Sequence, residues 1–212
     1  ETTAPANALS VLHAQKEGVT NYSILVSHVL VPPAMEAILD DEFCNIDAFL
    51  GAGHVCAIMG NEEYHPLSKK YKIPIIITGF EPLDLVQGIY MAVCQLEEGI
   101  HNVENQYSRV VKEEGNLAAK KVIQQVFEIG NREWRGIGEI PNSGYKVRKA
   151  FAAYDAETKF NIENIKVSES SICIAGEILR GIKKPKECPA FGKTCNPSNP
   201  LGAPMVSSEG AC

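Results

Sequence analysis

The sequence predicts an α/β fold: a mainly parallel sheet with flanking helices, followed by a small, irregular, cysteine-rich segment. Three observations carry that expectation. Short β-rich runs alternate with helical stretches from Tyr22 to Phe127, the order produced by successive βαβ units. The alternation breaks at Gly130, dividing the chain into residues 1–130, an α/β domain with a cleft at its strand ends, and residues 131–212. From Cys173 to Cys212 apolar periodicity gives way to Pro, Gly and four cysteines, with a helix expected only at Gly176–Arg180.

The elements follow in order. Thr2 or Thr3 can cap a helix whose first turn holds Pro5; it runs through the Ala/Leu-rich stretch Ala6–Lys16 and stops at Gly18. Tyr22–Ser27 reads as a buried strand. Pro32-Pro33 opens a helix through Met35, Ile38 and Leu39. Ile46–Leu50 reads as a strand, leading through Gly51-Ala52-Gly53-His54 into a helix over Val55–Met59. A helix at Leu67–Tyr71 precedes the strand Pro74–Thr78, and Gly79-Phe80-Glu81-Pro82 starts a long amphipathic helix, Leu83–Glu98. Asn105–Val111 completes the set of strands, and Leu117–Phe127 is helical. Residues 131–160 are mixed, and Trp134-Arg135-Gly136-Ile137-Gly138 marks a junction between the two parts.

Composition excludes several functions. With 212 residues, 45% of them apolar, the chain can build a substantial core. A net charge of −6 and a pI near 5.4 argue against a general nucleic-acid surface, and Lys183-Lys184-Pro185-Lys186 is too short to reverse that. No apolar run reaches the roughly 18 residues of a membrane-spanning helix. Glu1 opens the sequence without a basic or apolar leader, and seven cysteines without an export signal fit a reducing compartment. The lack of an initiator Met and the terminal cysteine suggest a fragment of a longer protein.

Cys173, Cys188, Cys195 and Cys212 follow the spacing C-x14-C-x6-C-x16-C. This is not the C-x2-C pairing of zinc ribbons, nor the compact run of bacterial ferredoxins. Four thiolates gathered from Pro-rich backbone suit a [4Fe–4S] cluster, since they alone complete its coordination. A thiol-only zinc site, two disulfides, and reduced cysteines with no shared role stay open. Cys94 shares a helix face with Leu85, Ile89 and Val93 and reads as core; Cys44 lies by an acidic turn. A Cys56–His54 nucleophile pair is disfavoured because i and i+2 do not face each other on a helix, so Cys56 reads as packing.

Ligands of open parallel sheets bind beyond the carboxyl ends of the strands. That edge collects His28, His54, Glu81, Asp84, Glu104, Asn105, Tyr107 and Arg109. Glu81 and Asp84 serve equally well as first-turn acids facing a helix dipole. Gly51-x-Gly53 lacks the full dinucleotide fingerprint, and no G-x-x-x-x-G-K-[ST] loop is present.

Several motifs then coincide: Glu1-Thr2-Thr3-Ala4-Pro5, Ser27-His28-Val29-Leu30-Val31-Pro32-Pro33, Gly53-His54-Val55, Gly79-Phe80-Glu81-Pro82-Leu83-Asp84, Glu104-Asn105-Gln106-Tyr107-Ser108-Arg109 and Met205-Val206-Ser207-Ser208-Glu209-Gly210-Ala211-Cys212. In this order they resemble the HypD family of [NiFe]-hydrogenase maturation proteins, over the whole chain. The resemblance implies a cytoplasmic assembly factor: a scaffold, with a HypC-type chaperone and a HypE-type cyanide donor, for building an Fe(CN)2CO unit. It also implies a [4Fe–4S] cluster on Cys173, Cys188, Cys195 and Cys212. The strand-end residues would close a cleft around the iron unit or a partner, with Arg109 suited to balance anionic cyanide ligands.

Two departures from the family pattern stand out. Its Cys-Gly-Thr-His and Gly-Pro-Gly-Cys-Pro-Val-Cys motifs do not occur in this sequence, so this stretch is not expected to hold the iron unit alone. Where the family has Cys-x-Cys-Gly and Gly-Ala-Cys-Met, this chain reads Cys173-Ile174-Ala175-Gly176 and Gly202-Ala203-Pro204-Met205. The family's extra pair resembles a cluster-adjacent redox disulfide, which Ala175 and Pro204 cannot form. Two further readings remain: a cluster-fed thiol-disulfide reductase, which needs that missing pair, and a structural zinc-binding interaction module.

Overall fold

Three isoleucines and a threonine, Ile75–Thr78, form the middle strand of a parallel sheet and are buried at every position. That is the pattern of a strand covered on both faces. The computed structural model describes residues 1–162, 165, 170–208 and 210–212. The sheet has three strands, β1 (Phe49–Ala52), β2 (Ile75–Thr78) and β3 (Val103–Asn105), in the order β1-β2-β3. Phe49 pairs with Ile75, and Ile75 with Val103.

Side-chain alternation sends Ile75 and Ile77 to one face of the sheet. They meet Met35 of α2 (Val31–Leu39), Cys56 of α3 (Gly53–Met59), and Tyr64 and Leu67 of α4 (Tyr64–Tyr71). The opposite face takes α5 (Pro82–Glu98), which packs on β1 and β2. A Cβ on Gly88 would lie 2.2 Å from Thr78 Cγ2, so the helix sits too close for anything larger. The face of α5 turned inward is therefore small or polar: Asp84, Gly88, Ala92 and Gln95. This corrects the expectation for Cys94: it is only half-buried, and its presumed core neighbours Ile89 and Val93 point to solvent.

A second core joins α1 (Ala4–Lys16) and α6 (Leu117–Val126) through Ala8, Val11, Ile123 and Val126. Ile24, Val26 and Leu30 complete it. The expected strand at Tyr22–Ser27 is not one. Its side chains are claimed by the helix pair, and its backbone bonds to the chain near Tyr154 instead of joining the sheet: Ile24 N–H donates to Tyr154 O at 2.8 Å and Ala156 N–H to Ile24 O at 2.9 Å. The strand expected at Asn105–Val111 ends at Asn105. Gln106 and Tyr107 both donate backbone N–H to Ile77 O, which turns the chain, and Asn105 Nδ2 closes the turn on Val111 O at 2.9 Å.

Residues 127–147 form an antiparallel hairpin, β4 (Phe127–Trp134) paired with β5 (Gly138–Val147), where the sequence predicts a helix end at Phe127 and mixed structure from 131. A register shift lies between Gly130 and Arg132. The expected junction at Trp134–Gly138 is the turn of this hairpin. Trp134 Nε1 anchors it on Ser143 Oγ at 2.8 Å, and a Cβ on Gly176 would lie 2.2 Å from Gly136 O, so the turn packs tightly on the cysteine-rich segment.

After two short helices, a 3-10 turn at Lys149–Tyr154 and α7 (Ala156–Phe160), the chain enters that segment. It holds α8 (Ala175–Leu179), 3-10 turns at Pro185–Glu187 and Ala203–Met205, and a small core of Ala190, Cys195 and Met205. Arg180 fastens it to the α/β body: Nη1 donates to Asp41 Oδ2 at 2.6 Å, and Arg180 O accepts from Asn45 N–H at 2.9 Å. Among the described residues no helix is long and apolar enough to cross a membrane.

Candidate metal centre

Cys173, Cys188, Cys195 and Cys212 line one hollow, walled by Ile178, Phe191, Leu201 and Met205. Its cavity volume is about 10 Å³. The fold brings the thiols together from four places: the turn before α8, the end of the Pro185–Glu187 turn, the loop after Phe191, and the carboxyl terminus. None of the seven cysteines is in a disulfide. The Cys212 thiol is pushed above its ordinary pKa, first by burial and then by its neighbours Cys173, Cys188 and Cys195. That unfavourable field on Cys212 is what a cation among the thiols would relieve.

Backbone details shape the hollow. A Cβ on Gly202 would lie 2.3 Å from Cys173 Sγ, so glycine leaves room for the sulfur. Leu201 N–H points at Cys195 Sγ at 3.4 Å, a contact that stabilises negative charge on sulfur. A Cβ on Gly210 would lie 2.0 Å from Pro204 O, and this tight approach brings the carboxyl terminus back to the hollow. Ala175 and Pro204, both buried, form part of its wall. Among the described residues no three His, Cys, Asp or Glu side chains converge closely enough to hold a single metal ion.

Gly202→Val should therefore crowd Cys173 out of place. Metal bound per chain is expected to fall severalfold, while the thermal transition of the α/β body stays unchanged; metal analysis beside circular dichroism reads both.

At the sheet edge the structure gathers only part of the expected set. Asp84, buried at the start of α5, accepts from Arg109 Nη1 at 2.9 Å and Nη2 at 2.5 Å, and from Gln106 Nε2 at 2.8 Å. Arg109's bonds, and then Gln106's, hold the Asp84 carboxyl below the usual carboxylate range. Arg109 lies 4.4 Å over the Tyr107 ring, and the His54 ring sits tilted against Phe80 at 4.6 Å. Glu81 is exposed just before the helix. Gly53 and Gly79 permit this crowding: a Cβ on either would lie within 2.7 Å of the Tyr107 ring.

The remaining candidates have other partners. Glu104 accepts from Gln95 Nε2 at 2.5 Å, and Asn105 closes its turn. His28 lies apart from this edge, within 2.9 Å of Asn7 Nδ2 and edge-on to Phe127. Its segment pairs with β5 instead of the parallel sheet, and burial lowers its pKa. Sequence reasoning passed over Phe80 and Gln106; an aromatic directly after a glycine at a strand end was the available signal.

Because the Asp84 carboxyl is depressed in the folded state, its contribution to stability is present above the unfolded value near 3.8. It is lost as the pH falls through the lower folded value. Urea unfolding between pH 6 and about pH 2 should show this acid loss, and Asp84→Asn should shrink it.

Known proteins are similar in sequence to this chain over its whole length. The family model described as HypD, hydrogenase formation hypA family, matches residues 1–212. The hydrogenase maturation factor HypD of Azotobacter vinelandii is 46% identical over 218 residues, and HypD2 of Bradyrhizobium diazoefficiens is 45% identical over 219. In both comparisons all of this chain is covered but only 58% of the relative. A putative hydrogenase expression/formation protein of Methanocaldococcus jannaschii is 42% identical over 212 residues, 59% of its length. The chain thus spans somewhat over half the length of the curated relatives it matches, and it belongs to the HypD family of hydrogenase maturation factors.

Proposed function

We propose that the four carboxyl-terminal cysteines hold a [4Fe–4S] cluster, and that the chain serves in the cytoplasm as part of a scaffold for an Fe(CN)2CO unit destined for [NiFe]-hydrogenase. Its partners on this reading are a HypC-type chaperone and a HypE-type cyanide donor. The observation that carries the cluster is the hollow lined by four thiols and otherwise largely apolar side chains. A zinc ion with Zn–S bonds of about 2.3 Å would draw tetrahedral sulfurs to about 3.8 Å from one another. A cubane would hold its four thiolates further apart, and metal analysis distinguishes the two.

When bound, such a cluster supplies a one-electron store whose potential follows hydrogen bonding to sulfur and exposure. The chain's own residues set those conditions. Leu201 N–H bonds Cys195, Gly202 leaves space beside Cys173, and Phe191 and Met205 keep water off the inner wall. The reductase reading lacks its redox pair, since Ala175 and Pro204 occupy the wall without a sulfur.

The sheet edge supplies a partner-facing surface, with His54, Phe80 and Glu81 outermost. Arg109 is engaged by Asp84, which locks the turn after β3 to the start of α5, and its half-exposed guanidinium keeps further N–H groups for anionic cyanide ligands. Anaerobic purification with iron, sulfide and zinc analysis tests the cluster. About four irons and four sulfides per chain support it. One zinc without sulfide would replace it with the structural module, and a metal-free chain would reject both. Retention on an immobilised HypC-type protein tests the scaffold separately.

A further inference from the structure

The longest helix of the chain is mounted with its apolar side outward. Leu83, Val86, Ile89, Tyr90, Val93 and Leu96 of α5 are each between 41% and 69% exposed. Leu83, Val86, Tyr90 and Val93 repeat at alternating steps of three and four, with Ile89 and Leu96 alongside; this is the spacing of a coiled-coil seam. The seam extends about 20 Å at 1.5 Å per residue. An apolar stripe of that length is a contact surface and not scattered exposure.

Charge narrows the occupant. Between Lys72 and Arg109 there is no Lys or Arg, while Glu81 near one end of the seam and Glu97 and Glu98 at the other are exposed. A second copy of this chain would bring carboxylates together in either orientation: Glu81 against Glu97 and Glu98 if antiparallel, Glu97 against Glu97 if parallel. Such like-charge pairing opposes self-association. We propose that the α5 seam docks an amphipathic helix of another protein, one whose apolar stripe is flanked by Lys or Arg. The seam selects a helix by its spacing, and the acids at its two ends select a basic one.

The probe is a fluorescein-labelled peptide of three heptads, Leu and Ile at the seam positions and Lys at the flanks, compared with the same peptide carrying Glu at the flanks. Anisotropy titrations should show the Lys peptide binding at least about tenfold more tightly, an advantage that shrinks as salt shortens the Debye length. Val86→Ser with Val93→Ser should weaken it about tenfold or more, with circular dichroism and thermal midpoint unchanged. Glu97→Lys with Glu98→Lys should reverse the preference between the peptides. Equal binding of the two peptides, or unchanged binding by the serine variant, would overturn the proposal. So would sedimentation of the unaltered chain as a dimer that the serine variant dissociates, which would make a second copy the occupant.

Discussion

Cys195→Ser is expected to bring iron from about four per chain to less than one, with sulfide falling in parallel. Cys195 is the most buried of the four cysteines, packed with Ala190 and Met205 and facing Leu201 N–H. Serine keeps nearly the same volume, so the small core can still form. Its hydroxyl does not ionise near neutral pH, and an oxygen is a poor substitute for thiolate at an iron–sulfur centre. Cys44→Ser is the control. Cys44 is half-buried, lies outside the hollow, and should leave metal content unchanged. Metal analysis and the visible spectrum of both variants, purified anaerobically, decide the matter. A Cys195→Ser chain with full iron would take the cluster away from this hollow.

Ala175 and Pro204 give this centre a restricted chemistry. Both line the hollow, so they stand where a neighbouring thiol pair could exchange electrons with a bound cluster. With an alanine methyl and a proline ring there instead, the wall has no group to oxidise or reduce. Gly136 presses on this same wall: a Cβ placed on it would lie 3.2 Å from the Ala175 Cβ. The β4–β5 turn therefore needs glycine at position 136.

Much of this was legible in the sequence, for identifiable reasons. Pro32-Pro33 and Pro82 fix helix starts because a proline ring pre-sets the first turn, and α2 and α5 begin there. The isoleucine run of β2 can only be a strand covered on both sides. The four cysteines admit a shared site by spacing but equally zinc, disulfides or unrelated thiols, and it is the fold that brings them to one hollow. The hairpin was hidden because its β4 strand carries Glu128, Arg132 and Glu133 with no clean alternation, and a register shift interrupts it. Its one local signal was the pair Gly136 and Gly138, both at positive φ at the turn. The orientation of α5 was not legible either. Periodicity reports that a helix has an apolar face, but the sheet demanded the small residues Gly88 and Ala92 instead. His28 was assigned to the strand-end edge because Tyr22–Ser27 reads as a strand, and it moved when that segment paired elsewhere.

Ile77→Ala should cost about 2–5 kcal/mol, the usual loss for truncating a fully buried isoleucine. Ile77 is completely buried and belongs to the core beneath α2, α3 and α4; its Cδ1 lies 2.6 Å from where a Cβ on Gly51 would sit. The strand is held on both sides by parallel neighbours, so the site cannot easily collapse. For a chain of this size the thermal midpoint should drop by about 4–20 °C. The cysteine hollow has its own core of Ala190, Cys195 and Met205 and joins the body mainly through Arg180, Asp41, Asn45 and the Gly136 turn. Metal content at 25 °C should therefore be unchanged in the variant. Following the melt by calorimetry and by the visible absorption of the bound metal separates two cases. If the absorption survives beyond the lowered midpoint, the cysteine-rich region is a folding unit of its own. If both signals move down together, the Arg180 latch makes body and metal centre one cooperative structure.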